Sequence, residues 1–308
     1  MQKPIQNIIC SVDFSSPSHL VVRYGVVMAQ RLGAPLTLFH AVHDPQDGVH
    51  STTLFERGGD LEQLTGEARQ QMAELMVNLQ LDWNAEVRFG DPVEQMVAFA
   101  DRVPQSLVVA ASHGVSGFRR LFIGTVVERL SRALSCPLLV VKPGPTQDER
   151  VFDGFNAILV SCDDHGSWTQ LASMLSLLRA EKPFRVHLAH TLESPVDMGK
   201  LDEETAPYNQ AQQKMQARLE GTLKNQGKKF FPSADTLSVA VAPGVPQEMV
   251  LFSAEEMGAD LIVVGARHSR KVGRWISGST TETLLRKSPC DVLVLPETKI
   301  REDRGRNR

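Results

Sequence analysis

IICSVDFS, residues 8–15, returns as ILVSCDDH at residues 158–165. The match places Asp13 on Asp163, 150 positions on. LFHAVHDP and LAHTLESP keep that spacing and pair His40 with His190. Farther along, GDPVEQMVAFA aligns with GVPQEMVLFSA, now 154 positions apart, with Gly90 on Gly244. SLVVAAS then matches DLIVVGA, and FIGTVVERL matches ISGSTTETL, with Gly124 on Gly278. About four extra residues therefore enter the second copy between its second and third strands. The unit is too long for a solenoid repeat, so the chain reads as two tandem domains of one fold. Their expected bounds are residues 1–143 and 155–298. KPGPTQDERVFDG between them is rich in proline, glycine and charge and reads as a linker. Residues 299–308 form a charged tail.

Each copy alternates strand and helix patterns. In the first, PIQNIICSV is a strand that Asp13 ends, and Ser16 followed by Pro17 opens a helix to about Leu32, where Gly33 stops it. PLTLFHAV is a second strand. Leu61, Leu64, Ala68, Met72, Leu75 and Leu79 recur at helical steps. WNAEVRFG reads as a third strand, and Pro92 starts a helix. SLVVAA, TVVERLSRAL and PLLVVK complete a strand, helix and strand. Such alternation predicts, in each copy, an α/β doubly wound domain, a parallel sheet covered by helices on both faces.

The 308 residues suffice for two cores, and a net charge of −3 gives no basic excess for nucleic acid. Cys10, Cys136, Cys162 and Cys290 are too few for a disulfide framework and read as buried thiols in a reducing compartment. No signal-peptide pattern or membrane-length apolar run is present, so a cytoplasmic setting without membrane contact is expected.

Ligands of open α/β sheets bind beyond the carboxyl ends of the strands. Two segments of the first copy end there, SVDFSSPS and ASHGVSGFRRLFIGT. In the second, Gly114 and Gly117 allow close backbone approach to a phosphate, and Gly124 and Thr125 stand at a helix N-terminus that favours an anion. Arg119 and Arg120 add positive charge. A glycine-rich turn before a capped helix reads equally well from the loop alone. Neither GxxxxGK[ST] nor GxGxxG occurs. Asp13 is a candidate acceptor for a ligand's amino or hydroxyl group, or a turn former. His40, His43 and Asp44 form HxxHD and read as satisfied or surface groups rather than metal ligands.

These residues together resemble the universal stress protein family in its tandem form. The family's hallmark is a first strand ending in Asp and, much later, G-x2-G-x9-G-[ST] before the last helix and strand. Here the motif reads Ala111-x2-Gly114-x9-Gly124-Thr125, with Ala111 in place of the first glycine. The resemblance implies five-stranded parallel sheets of order 3-2-1-4-5. It implies Asp13 and Val42 beside a nucleotide base, and Ala111, Gly114, Gly124, Thr125 and Val126 beside ribose and phosphates. The implied ligand is ATP, with AMP or ADP as alternatives. It also implies that fifth strands pair edge to edge. The two halves of one chain are expected to do this as an intramolecular pseudo-dimer, with a further homodimer left open.

The second copy departs. It reads Gly265-x2-His268-x9-Gly278-Ser279, with His268 for the second glycine and His165 where the first copy has Ser15. Nucleotide binding there is expected to be weak or absent. Asp163, His165 and His268 are expected at one strand-end crevice. Loss of the site is the plain reading; a metal or a different anionic ligand are the alternatives. The functional expectation is a regulatory, nucleotide-binding stress protein with an unidentified protein partner. The alternatives are a nucleotide-independent interaction module and a slow ATPase.

Overall fold

The structure is a computed structural model and describes residues 5–42, 58–112, 125–143, 152–162, 168–180, 184–192, 206–265 and 280–296. Ten strands and eight helices are described. The first half holds β1 (Asn7–Ser11), α1 (Pro17–Leu32), β2 (Leu36–Val42), α2 (Gly58–Leu75), β3 (Trp83–Phe89), α3 (Pro92–Ala100), β4 (Ser106–Ala111), α4 (Thr125–Ala133) and β5 (Leu138–Val141). The second holds β6 (Ala157–Ser161), α5 (Trp168–Leu178), β7 (Arg185–Leu192), α6 (Ala206–Phe230), β8 (Thr236–Pro243), α7 (Pro246–Met257), β9 (Leu261–Gly265), α8 (Thr280–Lys287) and β10 (Asp291–Leu295).

All strands join one sheet of order β3-β2-β1-β4-β5-β10-β9-β6-β7-β8. Pairing within each half is parallel, in the order 3-2-1-4-5. The halves meet where β5 and β10 pair antiparallel, with Leu139 opposite Leu293. Inner strands buried on both faces need apolar runs, and LLVV and the VLVL that follows Asp291 supply them. Pairing these fifth strands with each other removes two sheet edges that would otherwise invite association.

Both cores cross this seam. One joins α1 and α2 residues such as Met28 and Met72 with Leu175 and Leu223 of α5 and α6. The other joins Met96 and Leu130 with Val250 and Leu284. Gly25 lets α1 lie close on the sheet; a Cβ there would fall 2.1 Å from Cys10 Sγ.

Several expectations need correction. β1 ends at Ser11, so Asp13 lies in the following loop. Ser16 occupies the N-cap of α1 but makes no side-chain cap; the hydroxyl used is that of Ser18, which bonds Asp13. Leu79 lies beyond α2 and packs on the core from the turn after it. The end of the linker is docked rather than loose. Phe152 stacks on Tyr24 at 3.8 Å between ring centres, and Arg31 donates to Asp153 O at 2.9 Å. Gly154 adopts φ +107, and a Cβ there would fall 2.6 Å from Ala180 N, so the chain can pass only as glycine. No described helix is long and apolar enough to cross a membrane.

Candidate functional site

Strand direction places the candidate residues. β1 lies between β2 and β4, all parallel, so their carboxyl ends share one edge of the sheet. Val42 is the last residue of β2 and Ala111 the last of β4, with Asp13 in the loop that leaves β1 between them. α4 begins at Thr125 and Val126 and leads into β5, itself parallel to β4. Its first turn therefore starts at the same edge. Gly114, Gly124, Arg119 and Arg120 lie outside the described residues, as do His43 and Asp44.

The Asp13 loop is held in detail. Asp13 Oδ1 accepts from Ser15 N at 3.0 Å, from the Ser15 hydroxyl and from Ser18 Oγ at 3.1 Å. Such a side-chain turn fixes an exposed carboxylate without burying it. Phe14 adopts φ +60, uncommon for a residue with a bulky side chain. Its ring lies 4.4 Å from that of His40. His40 Nδ1 is 2.8 Å from Val12 O. A carbonyl only accepts, so Nδ1 carries the proton. Burial holds this imidazole below its ordinary pKa, although the Val12 carbonyl and Asp13 pull the other way. Of the two expectations for His40, a satisfied or a surface group, the first holds, and the ring also braces the loop around Asp13, which the HxxHD pattern does not indicate. The signal was its repeat partner: His190 Nδ1 lies 2.6 Å from Cys162 O, the position equivalent to Val12.

An ion pair closes the neighbouring wall. Asp91 caps α3 by accepting from Val93 N and Glu94 N, both at 3.0 Å. Arg129, in the second turn of α4, grips the same carboxylate at 2.7 and 3.0 Å. That guanidinium holds the Asp91 carboxyl below its ordinary range. Gly90 N donates to Val42 O at 3.0 Å, so the end of β2, the start of α3 and the start of α4 form one rigid rim.

The second half keeps the glycine contact, Gly244 N to Leu192 O at 3.4 Å, but lacks the ion pair. Val245 replaces Asp91 at the α7 cap and Thr283 replaces Arg129. Gly265 ends β9, and its carbonyl accepts from the Thr281 hydroxyl at 3.2 Å. Val127, the counterpart of Thr281, has no hydroxyl to offer Ala111. Asp163, His165, His268, Gly278 and Ser279 lie outside the described residues.

Comparison with known proteins fits this architecture. The model of the Universal stress protein family matches residues 4–142 and 154–296. Universal stress protein MJ0531 of Methanocaldococcus jannaschii is 24% identical over 142 residues, 44% of this chain and 82% of its own. Stress response protein NhaX of Bacillus subtilis is 31% identical over 81 residues, 26% of this chain but only 46% of its own length. The fold is that of a universal stress protein from Archaeoglobus fulgidus, with a TM-score of 0.59 at 21% identity, covering 96% of this chain and 99% of that one.

Proposed function

The chain belongs to the universal stress protein family, and on that premise we propose that its first half binds ATP, or AMP or ADP, as the input of a regulatory stress response. The carrying observation is the convergence of Asp13, Val42, Ala111 and the start of α4 at one sheet edge, with the rim around them fixed by Asp91 and Arg129. In this reading Asp13 accepts from the base or ribose, and Val42 lies against the base. Ala111, Gly114, Gly124, Thr125 and Val126 take the ribose and phosphates, the helix N-terminus contributing unpaired N–H groups. The second half does not share this role. The setting is cytoplasmic, where thiols stay reduced. Any hydrolysis is slow and rests on positioning alone.

Calorimetry of the intact chain with ATP and AMP tests the reading. One site is expected, abolished by Gly114→Leu and little changed by Gly265→Leu. Absence of binding by both nucleotides overturns it. Phosphate release over hours separates a binder from a slow ATPase.

A further inference from the structure

The two halves keep each other's pattern at many positions, and α7 is where they part. Counting from its cap, Val245, Met249 and Phe252 recur at four- and three-residue steps; Met249 is half-buried, packed on the core with its sulfur accepting from the Thr191 hydroxyl, so Val245 and Phe252 carry the outward part of the stripe. Phe252 is 66% exposed and Val245 42%. Phe252 stands almost opposite the buried Val250 and Ala254, at the centre of the solvent face. The first half has Asp91, Gln95 and Ala98 at these positions, so the fold does not require an apolar stripe there. One exposed ring alone would need no explanation, but Phe252 and Val245 share one face and are rimmed by charge, the arrangement of an interaction surface.

The flanking charge identifies the kind of partner. Glu248 and Glu255 border the stripe on one side, Glu256 lies at its end, and all three are exposed. α7 contains no lysine or arginine. Among the described residues, none pairs with these carboxylates. Glu255 and Glu256 sit in the last turn, where the helix dipole disfavours negative charge. A second copy docking α7 against α7 would oppose two acidic helices. A cationic partner instead relieves the repulsion while its apolar residues cover Phe252.

We propose that the α7 face is a docking site for a basic amphipathic helix of another protein, with apolar residues on Val245 and Phe252 and Lys or Arg against Glu248, Glu255 and Glu256. This does not depend on nucleotide binding.

The test places a photo-cross-linking phenylalanine at position 252 of the full chain in its producing cells, with position 98, the matching site on α3, as control. Mass spectrometry then reads the captured segment. The expected product is one segment with Lys and Arg in excess and apolar residues at three- and four-residue spacing. Its yield is expected to fall roughly tenfold when Glu248, Glu255 and Glu256 are changed together to Lys, as for loss of a central contact. These exposed changes leave the fold intact, which far-ultraviolet circular dichroism verifies. Capture no greater than at position 98 overturns the proposal. So does capture of a second copy, of lipid or of an acidic segment, or a yield indifferent to the charge reversal.

Discussion

Arg286 of α8 reaches across the seam to Glu128 of α4, with 2.6 Å between Nη2 and Oε1. The return contact runs from Arg132 of α4 to Glu282 of α8. Arg132 and Arg286 are repeat partners, as are Glu128 and Glu282. The two pairs are therefore related as contacts are in a twofold dimer, where residue i meets j and j meets i. The tandem chain has kept, inside one polypeptide, an interface with the logic of a symmetric pair.

The reciprocity makes a stability prediction. The Glu282 side chain is only 10% exposed, whereas Arg132 is 44% exposed. Removing the arginine takes a cationic partner from a largely buried carboxylate, while the exposed partner contributes little by itself. Arg132→Ala is expected to cost about 1–2 kcal/mol, below the full penalty for breaking a buried pair because the arginine is half in solvent. Arg132→Ala with Glu282→Gln should recover part of that loss. Urea unfolding of the full chain measures both; equal losses in the single and double variants would refute the coupling.

Continuous cores predict joint unfolding. Trp83 lies on β3 in the first half and Trp168 on α5 in the second, stacked near Phe230. Both pack on the core that spans the seam. With Trp83 alone retained, fluorescence reports one half; with Trp168 alone, the other. The urea midpoints relative to circular dichroism of each same variant are expected to coincide. Separate midpoints would show that each half melts alone.

Much of this was legible in the sequence because it is local or repeated. The offset between Asp13 and Asp163 announced two copies, Gly33 stops α1 where expected, and Pro92 opens α3. What was not legible depends on distant partners. Nothing near Phe152 or Gly154 announces that they dock on Tyr24, Arg31 and Ala180, so the segment read as plain linker. Ser16 looked like a cap because its residue type suits one, yet Asp13 draws the turn instead toward Ser15 and Ser18. At the site, Asp13, Val42 and Ala111 were placed by their strands, whereas the Arg129–Asp91 rim joins residues 38 apart that no motif connects.

Close packing of α1 makes a paired prediction. Gly25→Ala would set its Cβ 2.1 Å from Cys10 Sγ and 3.2 Å from Leu36 Cδ1. Overpacking of this kind costs about 1–3 kcal/mol. Cys10→Ala removes the nearer atom, so the double variant is expected to be more stable than the sum of the two single losses predicts. A double-mutant cycle in urea reads the coupling, and strict additivity would refute the contact.

His40 joins stability to the proposed site. Its Nδ1–H bond to Val12 O and its contact with Phe14 hold the backbone on both sides of Asp13. His40→Ala leaves a buried carbonyl without this partner, which costs about 1–3 kcal/mol. If the Asp13 loop shifts as a result, ATP affinity falls by roughly tenfold, the equivalent of about 1.4 kcal/mol. His40→Asn, whose amide N–H can replace Nδ1–H, should restore most of both. The pH dependence has a definite sign. Burial keeps folded His40 neutral below the ordinary imidazole pKa, so the unfolded chain takes up the proton first as pH falls through about 6.5. This group's contribution to stability is thus present above that value and lost on acidification toward the lower folded pKa. His40→Asn, which cannot titrate, is expected to flatten the loss between about pH 7 and 5. Half-buried His187 is shifted in the same direction and leaves a residual slope. An unchanged pH profile in His40→Asn, or a failure of Asn to outperform Ala in calorimetry, would remove His40 from the machinery that presents Asp13.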